Sequence, residues 1–259
     1  MEDKTLHYQS NQQQSRGPRP DSNGMKYSIV IPAYNEAGHI ADTIKSLNAQ
    51  TVARKDFEVI VVDNNSVDDT YKIAKSSGAD LVIKEATKGT NFARQAGFKN
   101  SKGDIVAFLD ADCQPLPDWL EKIGEDLSGG KNAAVSGPFD YQFKGIKKIM
   151  DYYYTRYVLP NVPYILKFIF GKKAGVLIGG NFAAKREVIE AIGGLPPLAF
   201  WGDDVAIAML ISRRVGKVLF DPKVLVVSSP RRFEKNGFIK LTLRYIAAYF
   251  KIFFSKDFQ

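Results

Sequence analysis

The chain has 259 residues, 45% of them hydrophobic and 25% charged, an ordinary globular balance with enough apolar material for one large domain or two small ones. A single cysteine, Cys113, excludes an internal disulfide framework and fits a reducing compartment, and no apolar run in residues 1–24 reads as a secretory signal. The net charge of +8 argues for an anionic partner, but no helix-turn-helix, zinc-finger or RNA-binding signature accompanies it, so nucleic acid is not expected.

Residues 1–24, rich in Gln, Ser, Asn, Pro and Gly, are expected to form a disordered tail. Tyr27–Ala33 predicts a first strand stopped by Pro32, and residues 37–49 a helix with Ile40, Ile44 and Leu47 on one face. Phe57–Asp63 reads as a second strand ending in a carboxylate. Asn64, Asn65 and Ser66 then make a turn, and Asp68 or Asp69 caps a helix that runs to about residue 76. A brief strand over 79–84 and a helix over 90–100 follow. With the next strand at 105–109, this alternation predicts an α/β fold with a right-handed, doubly wound and mostly parallel (Rossmann-like) sheet.

The stretch Asp104–Asp112 carries the clearest chemistry. Its five consecutive apolar residues read as a strand buried on both faces. Asp110 and Asp112 follow its carboxyl end, where open α/β sheets bind ligands. Two carboxylates so close repel each other unless a cation lies between them. Hard oxygen donors suit Mg²⁺ or Mn²⁺, which commonly also hold a substrate phosphate. Alone, Asp-x-Asp also fits a solvated acidic turn. Cys113 reads as a small semi-buried filler.

Pro115 and Pro117 break the chain and start a helix to about Leu127, and residues 133–139 suggest a further strand. Residues 141–175 read as the least regular part, with Pro160 and Pro163 as breakers. They hold seven basic residues and one acidic, and residues 231–259 hold seven and two. These two segments carry +11 between them and leave −3 on the remainder. Interleaved with aromatic and aliphatic residues, they suit an anionic membrane surface, a lipid phosphate or a sugar phosphate. Tyr152, Tyr153 and Tyr154 either pack under a loop or stack on an acceptor.

Residues 177–184 read as a strand around Gly179-Gly180-Asn181, followed by a helix over 186–192 and a turn at Gly193-Gly194. Asp203-Asp204 opens a helix of about eleven residues with Ile207, Leu210 and Ile211 facing inward; carboxylates are favoured at a helix N-terminus. Short strands are expected at 218–220 and 224–227. Residues 238–254 have a helical pattern in which Lys240, Arg244 and Lys251 fall within an arc of about 40° on an otherwise apolar wheel. Three cations make this segment a poor membrane span. It fits an interfacial helix, or a helix docked on the protein's own body with one wet stripe. The expected organisation is a tail over 1–24, a catalytic domain over 25–230 and a basic amphipathic helix over 231–259.

Taken together, the chain resembles the family 2 glycosyltransferases, which have the GT-A nucleotide-sugar fold. The resemblance covers roughly residues 26–228 and is carried by six elements in order: Ile29–Glu36, Val61–Thr70, Gly89–Gly97, Asp110-Ala111-Asp112, Gly179-Gly180-Asn181 with Gly193-Gly194, and Asp203-Asp204. It implies an inverting transfer of one sugar from a nucleoside-diphosphate sugar, UDP- or GDP-linked, to an acceptor hydroxyl, with Mg²⁺ or Mn²⁺. By the same resemblance Pro32, Ala33, Asn35 and Glu36 line the nucleotide pocket, Asp63 contacts the base, Asn65 and Ser66 shape that loop, and Arg94 faces the nucleotide. Asp110 reaches the ribose or the metal and Asp112 binds the metal directly, with Ala111 between them. Gly180 and Asn181 border the substrate, and Asp204 is the general base beside Asp203.

Two departures stand out. The family often places a histidine on the strand after the catalytic helix as a metal ligand, but this chain reads Val227-Ser228-Ser229-Pro230, and its only histidines are His7 and His39. His39 reads as a helix-surface residue. Arg231-Arg232-Phe233 falls where processive synthases carry Gln-x-x-Arg-Trp, without the Gln or the Trp, so a single transfer is expected rather than polymerisation. Arg231 or Arg232 either holds the diphosphate or forms a solvated charge pair. A lipid-linked acceptor or a cell-envelope glycan precursor fits a cytoplasmic enzyme peripheral to the inner face of the membrane. Against the rival readings, residues 29–45 lack the Gly-rich loop of a sugar nucleotidyltransferase, and intact Asp110, Asp112 and Asp204 argue against a catalytically silent nucleotide-sugar-binding scaffold.

Overall fold

The structure is a computed structural model that describes residues 26–196, 202–231, 233, 237–255 and 257–258. The expected tail over 1–24 lies outside the described residues, as does Arg232. The strands are β1 (Tyr27–Ala33), β2 (Phe57–Asp63), β3 (Leu81–Lys84), β4 (Ile105–Leu109), β5 (Cys113–Pro115), β6 (Asn132–Ser136), β7 (Phe139–Asp140), β8 (Asn181–Lys185), β9 (Lys217–Phe220) and β10 (Val226–Ser228). The α-helices are α1 (Ile40–Leu47), α2 (Thr70–Ser76), α3 (Thr90–Asn100), α4 (Trp119–Ser128), α5 (Ile146–Tyr153), α6 (Val162–Phe170), α7 (Arg186–Ala191), α8 (Asp203–Arg214) and α9 (Phe238–Phe254).

A seven-stranded sheet has the order β3-β2-β1-β4-β8-β6-β9, and a three-stranded sheet the order β5-β10-β7. In the large sheet β1 pairs in parallel with β2 and β4, while β8 runs antiparallel to β4 and β6. The register sets Ala33 opposite Asp63, so β1 and β2 end level. β2 and β4 are buried along their whole length, as strands covered by helices on both faces must be. Successive side chains therefore serve two cores. Val30, Ile60, Val106 and Phe108 face α7, α8 and α9, whereas Ile29, Ile31, Val59 and Leu109 face α1 and α4. Helix α3 lies close on β1, since a Cβ at Gly97 would stand 2.3 Å from Val30 Cγ1.

Several elements differ from the sequence reading, each for a local reason. β1 keeps its expected bounds, Tyr27–Ala33, and differs only in that Pro32 lies within it rather than stopping it. The expected strand over 133–139 is two strands, β6 and β7, because Pro138 has no N–H and a Cβ at Gly137 would come within 1.8 Å of Val224 O. β8 starts at Asn181 rather than 177. Residues 141–175 are largely helical: α5 runs into a π-helical turn at Tyr154–Val158, a 3₁₀ turn at Leu159–Asn161, and α6. Pro160 and Pro163 sit at the starts of helical segments, where a missing N–H costs nothing.

Helix α9 closes the core on α8. Ile252 and Phe253 are buried in the cluster that contains Ile207 and Leu210. Arg213, in the last turn of α8, donates from Nη2 to Phe253 O (2.8 Å) and from Nη1 to Phe258 O (2.9 Å). The opposite face of α9 leaves Leu243, Tyr245, Ile246, Phe250 and Phe254 exposed.

Asn181 locks the two sheets together. It is fully buried; its Oδ1 accepts from Trp119 Nε1 (2.9 Å), and its Nδ2 donates to Pro138 O (3.1 Å) and Val224 O (2.8 Å). Asn181→Ala strands the Trp119 donor and the Val224 carbonyl and leaves Pro138 O with only the Val226 N–H. We expect it to lower unfolding stability by about 2–4 kcal/mol in urea denaturation.

Candidate active site

The site grows from the carboxyl ends of the parallel strands β1, β2 and β4. The loops after β1 and β2 are stitched together. Asn64 N–H donates to Ala33 O (2.8 Å), Asn35 N–H to Ser66 Oγ (3.0 Å), Val67 N–H to Asn35 Oδ1 (2.9 Å), and Glu36 N–H to Thr70 Oγ1 (2.8 Å). Asn35 and Asn65 have φ of 55° and 67°, a left-handed conformation that Asn tolerates better than most residues. Asp63 is buried, and its Oδ1 accepts from Ser66 N–H (3.1 Å), so it shapes the loop from within. Pro32 is half-buried in β1. Asn64, which sequence reasoning treated only as a turn residue, carries the network further. Its Nδ2 donates to Glu85 O (3.0 Å) and Thr87 O (2.7 Å), and its Oδ1 accepts from Gly89 N–H (2.8 Å), just before α3.

From α3 comes Arg94, with its side chain only 4% exposed. Nη1 lies 3.0 Å from Asp203 Oδ2 and 3.2 Å from Asn91 Oδ1, and Nη2 lies 3.4 Å from Asp110 Oδ1. The resemblance put Arg94 against a nucleotide; here it bridges the carboxylate after β4 to the carboxylate that opens α8. The bend before β8 explains the Gly-Gly pair. A Cβ at Gly179 would stand 2.9 Å from Arg94 Nη2, and one at Gly180 2.2 Å from Asp110 Cγ. The guanidinium and the carboxylate therefore occupy the space that side chains there would take.

Asp204, one residue on, accepts from Val205 N–H at 2.8 Å and from the Gly179 N–H. Burial, and then the charge of Asp203, push its carboxyl up to about 6; the two N–H groups and Arg94 pull the other way. Ala111 is buried, with its carbonyl accepting from Thr43 Oγ1 (2.8 Å), so it anchors α1 beneath the site. Asn181 is held in the core by the bonds described above rather than in the cleft.

A second cluster forms around Asp112. Arg231 Nη2 lies 3.0 Å from Asp112 Oδ2 and also pairs with Glu36 Oε1. His39 Nδ1 lies 3.2 Å from Glu36 Oε2, so this histidine belongs to the rim of the site. Its sequence signal was the i, i+3 spacing from Glu36. Among the described residues no three His, Cys, Asp or Glu side chains gather into a metal cage. The donors available are the half-buried carboxylates Asp110 and Asp112. Such a sparse, all-oxygen set fits a hard divalent ion that keeps its waters and takes further ligands from a bound phosphate.

Fold and site together define a GT-A glycosyltransferase architecture: cross-linked loops at the ends of β1 and β2, an Asp-x-Asp after β4, and a carboxylate pair opening α8. The chain belongs to glycosyl transferase family 2, whose family model matches residues 28–193. It is 30% identical over 183 residues to the glycosyltransferase AglE of Haloferax volcanii, covering 69% of this chain and 58% of that protein. It is 26% identical over 204 residues to a dolichol-phosphate mannosyltransferase of Pyrococcus furiosus, covering 76% and 56%. The chain thus spans little more than half the length of these relatives. The structure of a mannosyltransferase from Pyrobaculum calidifontis in complex with GDP-Man and Mn²⁺ superposes with a TM-score of 0.64 at 24% identity, over 90% of this chain and 65% of that one. S. aureus TarS 1–349 in complex with UDP superposes at 0.61 and 17% identity, over 90% and 68%.

Arg94 holds two carboxylates from two elements while almost dry itself. Arg94→Ala is expected to cost about 2–4 kcal/mol in chemical denaturation at neutral pH, because it removes the buried cation that both carboxylates face. Arg94→Lys should recover only part of this, since an ammonium cannot fork between Asp110 and Asp203.

Proposed function

We propose that this chain is an inverting glycosyltransferase that moves one sugar from a nucleoside-diphosphate sugar, UDP- or GDP-linked, to an acceptor hydroxyl. One observation carries the reading. The Arg94 fork, 3.4 Å from Asp110 and 3.0 Å from Asp203, joins the Asp-x-Asp to the carboxylate pair of α8 in a single site. Asp110 and Asp112 would hold Mg²⁺ or Mn²⁺, which when bound supplies Lewis-acid relief of the charge that grows on the departing diphosphate. Pro32, Ala33, Asn35, Glu36, Asp63, Asn65 and Ser66 form the nucleotide side. Asn35 and Ser66 hold its two loops in register.

Asp204 is the base. The acceptor oxygen attacks the anomeric carbon, its proton passes to the Asp204 carboxylate, and the nucleoside diphosphate leaves from the opposite face. With its carboxyl at about 6, the group is ionised at neutral pH and more basic than an ordinary aspartate. A thermal-shift panel of UDP- and GDP-sugars with and without Mn²⁺ identifies the donor, followed by metal-dependent donor hydrolysis. Binding without turnover in any acceptor mixture would favour a silent sugar-nucleotide binder instead.

The acceptor side is read as lipid-linked, a cell-envelope glycan precursor among the candidates, with the protein peripheral at the inner face of a membrane. Tyr164, Ile165, Phe168 and Ile169 of α6 are exposed, as are Leu243, Ile246 and Phe250 of α9. Phe170 stacks edge-on against Phe253 and Phe254 at 5.7 and 5.2 Å, which joins the two helices. Exposed Lys167, Lys240, Arg244 and Lys251 lie on the same helices, the combination that anionic headgroups favour. Among the described residues no helix is long and apolar enough to cross a membrane.

Two outcomes are expected. Asp204→Asn should reduce transfer by about three orders of magnitude or more while leaving donor affinity within a few-fold. The wild-type kcat/KM should fall about tenfold per unit as pH drops below about 6, where the base becomes protonated, in a pH–rate profile. Because α9 is part of the core, its deletion would confuse binding with folding. The double variant Phe168→Ser, Ile246→Ser is the cleaner test, and should lose most co-sedimentation with anionic vesicles while keeping its thermal midpoint. Unchanged sedimentation would remove the membrane reading.

A further inference from the structure

The two carboxylates of the Asp-x-Asp have different kinds of counter-ion. Asp110 faces Arg94, which is buried and fixed from three sides. Asp112 faces Arg231, whose side chain is 43% exposed. Arg231 comes from the segment after β10, and the β10–β5 register, with Ser228 opposite Cys113, delivers that segment directly over Asp112. Phe233 anchors it from the other side, 4.8 Å from the Tyr141 ring and 5.6 Å from the Phe143 ring. The same guanidinium nitrogen reaches Glu36 Oε1 in the loop after β1, so Arg231 spans from the nucleotide loop to the cation ligand. The contrast lies in the two guanidiniums: Arg231 is open to solvent and free to swing away from Asp112, which is itself only 17% exposed, whereas forked Arg94 is enclosed.

We propose that Arg231 is the exchangeable counter-ion of Asp112. It neutralises the carboxylate in the donor-free protein, yields it to the incoming divalent cation, and then pairs with the diphosphate that arrives with that cation. A guanidinium suits both states, because its planar set of donors matches a carboxylate or a phosphate equally. The inference rests on the donor-binding reading for its second half only; the exchange at Asp112 needs no nucleotide. Arg231 excludes unproductive metal until a phosphate ligand can share it.

The test titrates Mn²⁺ alone into the wild type, Arg231→Ala and Arg231→Gln, with the free-Mn²⁺ EPR signal as readout and thermal midpoints as the folding control. With the competitor gone, both variants are expected to bind Mn²⁺ about three- to fivefold more tightly than the wild type, and the difference should shrink with added salt. In saturating Mn²⁺, the same variants should bind UDP or GDP about tenfold more weakly. A residue that merely props the loop would not raise metal affinity. Equal or weaker Mn²⁺ binding in both variants overturns the proposal, as does an absence of Mn²⁺ binding in all three proteins. Tighter Mn²⁺ binding with no affinity for UDP or GDP in any of them supports the exchange and counts against the donor reading.

Discussion

Everything at the carboxyl edge of the sheet depends on how negative charge is held in a partly dry cleft. Asp110, Asp203 and Asp204 converge there from two elements far apart in sequence, and without a cation among them their repulsion would splay β4 from α8. Arg94 supplies that cation. Its fork spans Asp110 and Asp203, and both its exposure and its reach are set by α3 lying hard against β1. Asp204 is left outside the fork, and that asymmetry separates its behaviour from its neighbour's. Burial and the adjacent charge raise its proton affinity, while Asp203 is spent on Arg94.

The glycines serve this arrangement through space rather than flexibility. Gly179 and Gly180 are buried, and the absent side chains make room for Arg94 and Asp110. Gly202 is a case where conformation and space both count. At φ 117° it precedes Asp203, and a Cβ there would stand 2.5 Å from Ile252 Cδ1 of α9. The last helix therefore presses on the turn that aims the carboxylate pair, besides capping the core through Phe253.

The same helix presents two faces with different physics. Ile252 and Phe253 complete the packing around α8 and Leu241 is buried as well, while Leu243, Ile246 and Phe250 remain outside. Outward-facing apolar side chains beside lysines and an arginine are costly in water unless something covers them. That cost is what supports the proposal that α6 and α9 form one surface facing an anionic bilayer.

The sequence by itself determined the parallel half of the sheet. Continuous apolar runs such as Val59–Val62 and Ile105–Leu109 have one stable fate, burial between two layers of helices, so β1, β2, β4 and α3 were readable within a residue or two. It also determined the residue types of the site, since paired carboxylates at a strand end and at a helix start carry their chemistry locally. Only the tertiary structure decided who partners whom. Nothing in the local pattern around Arg94 says that its charge is consumed by Asp110 and Asp203, that Asn181 belongs to Trp119 and two carbonyls in the core, or that Arg231 reaches Asp112 and Glu36. Those pairings join segments 16 to 195 residues apart, and they are fixed by sheet order and by strand register, which hydrophobic periodicity along a single segment does not encode. The helices across residues 141–175 escaped the sequence reading for another reason. Pro160 and Pro163 read as breakers along the chain, whereas each sits in the first turn of a helical segment, where its missing N–H has no helical partner to lose.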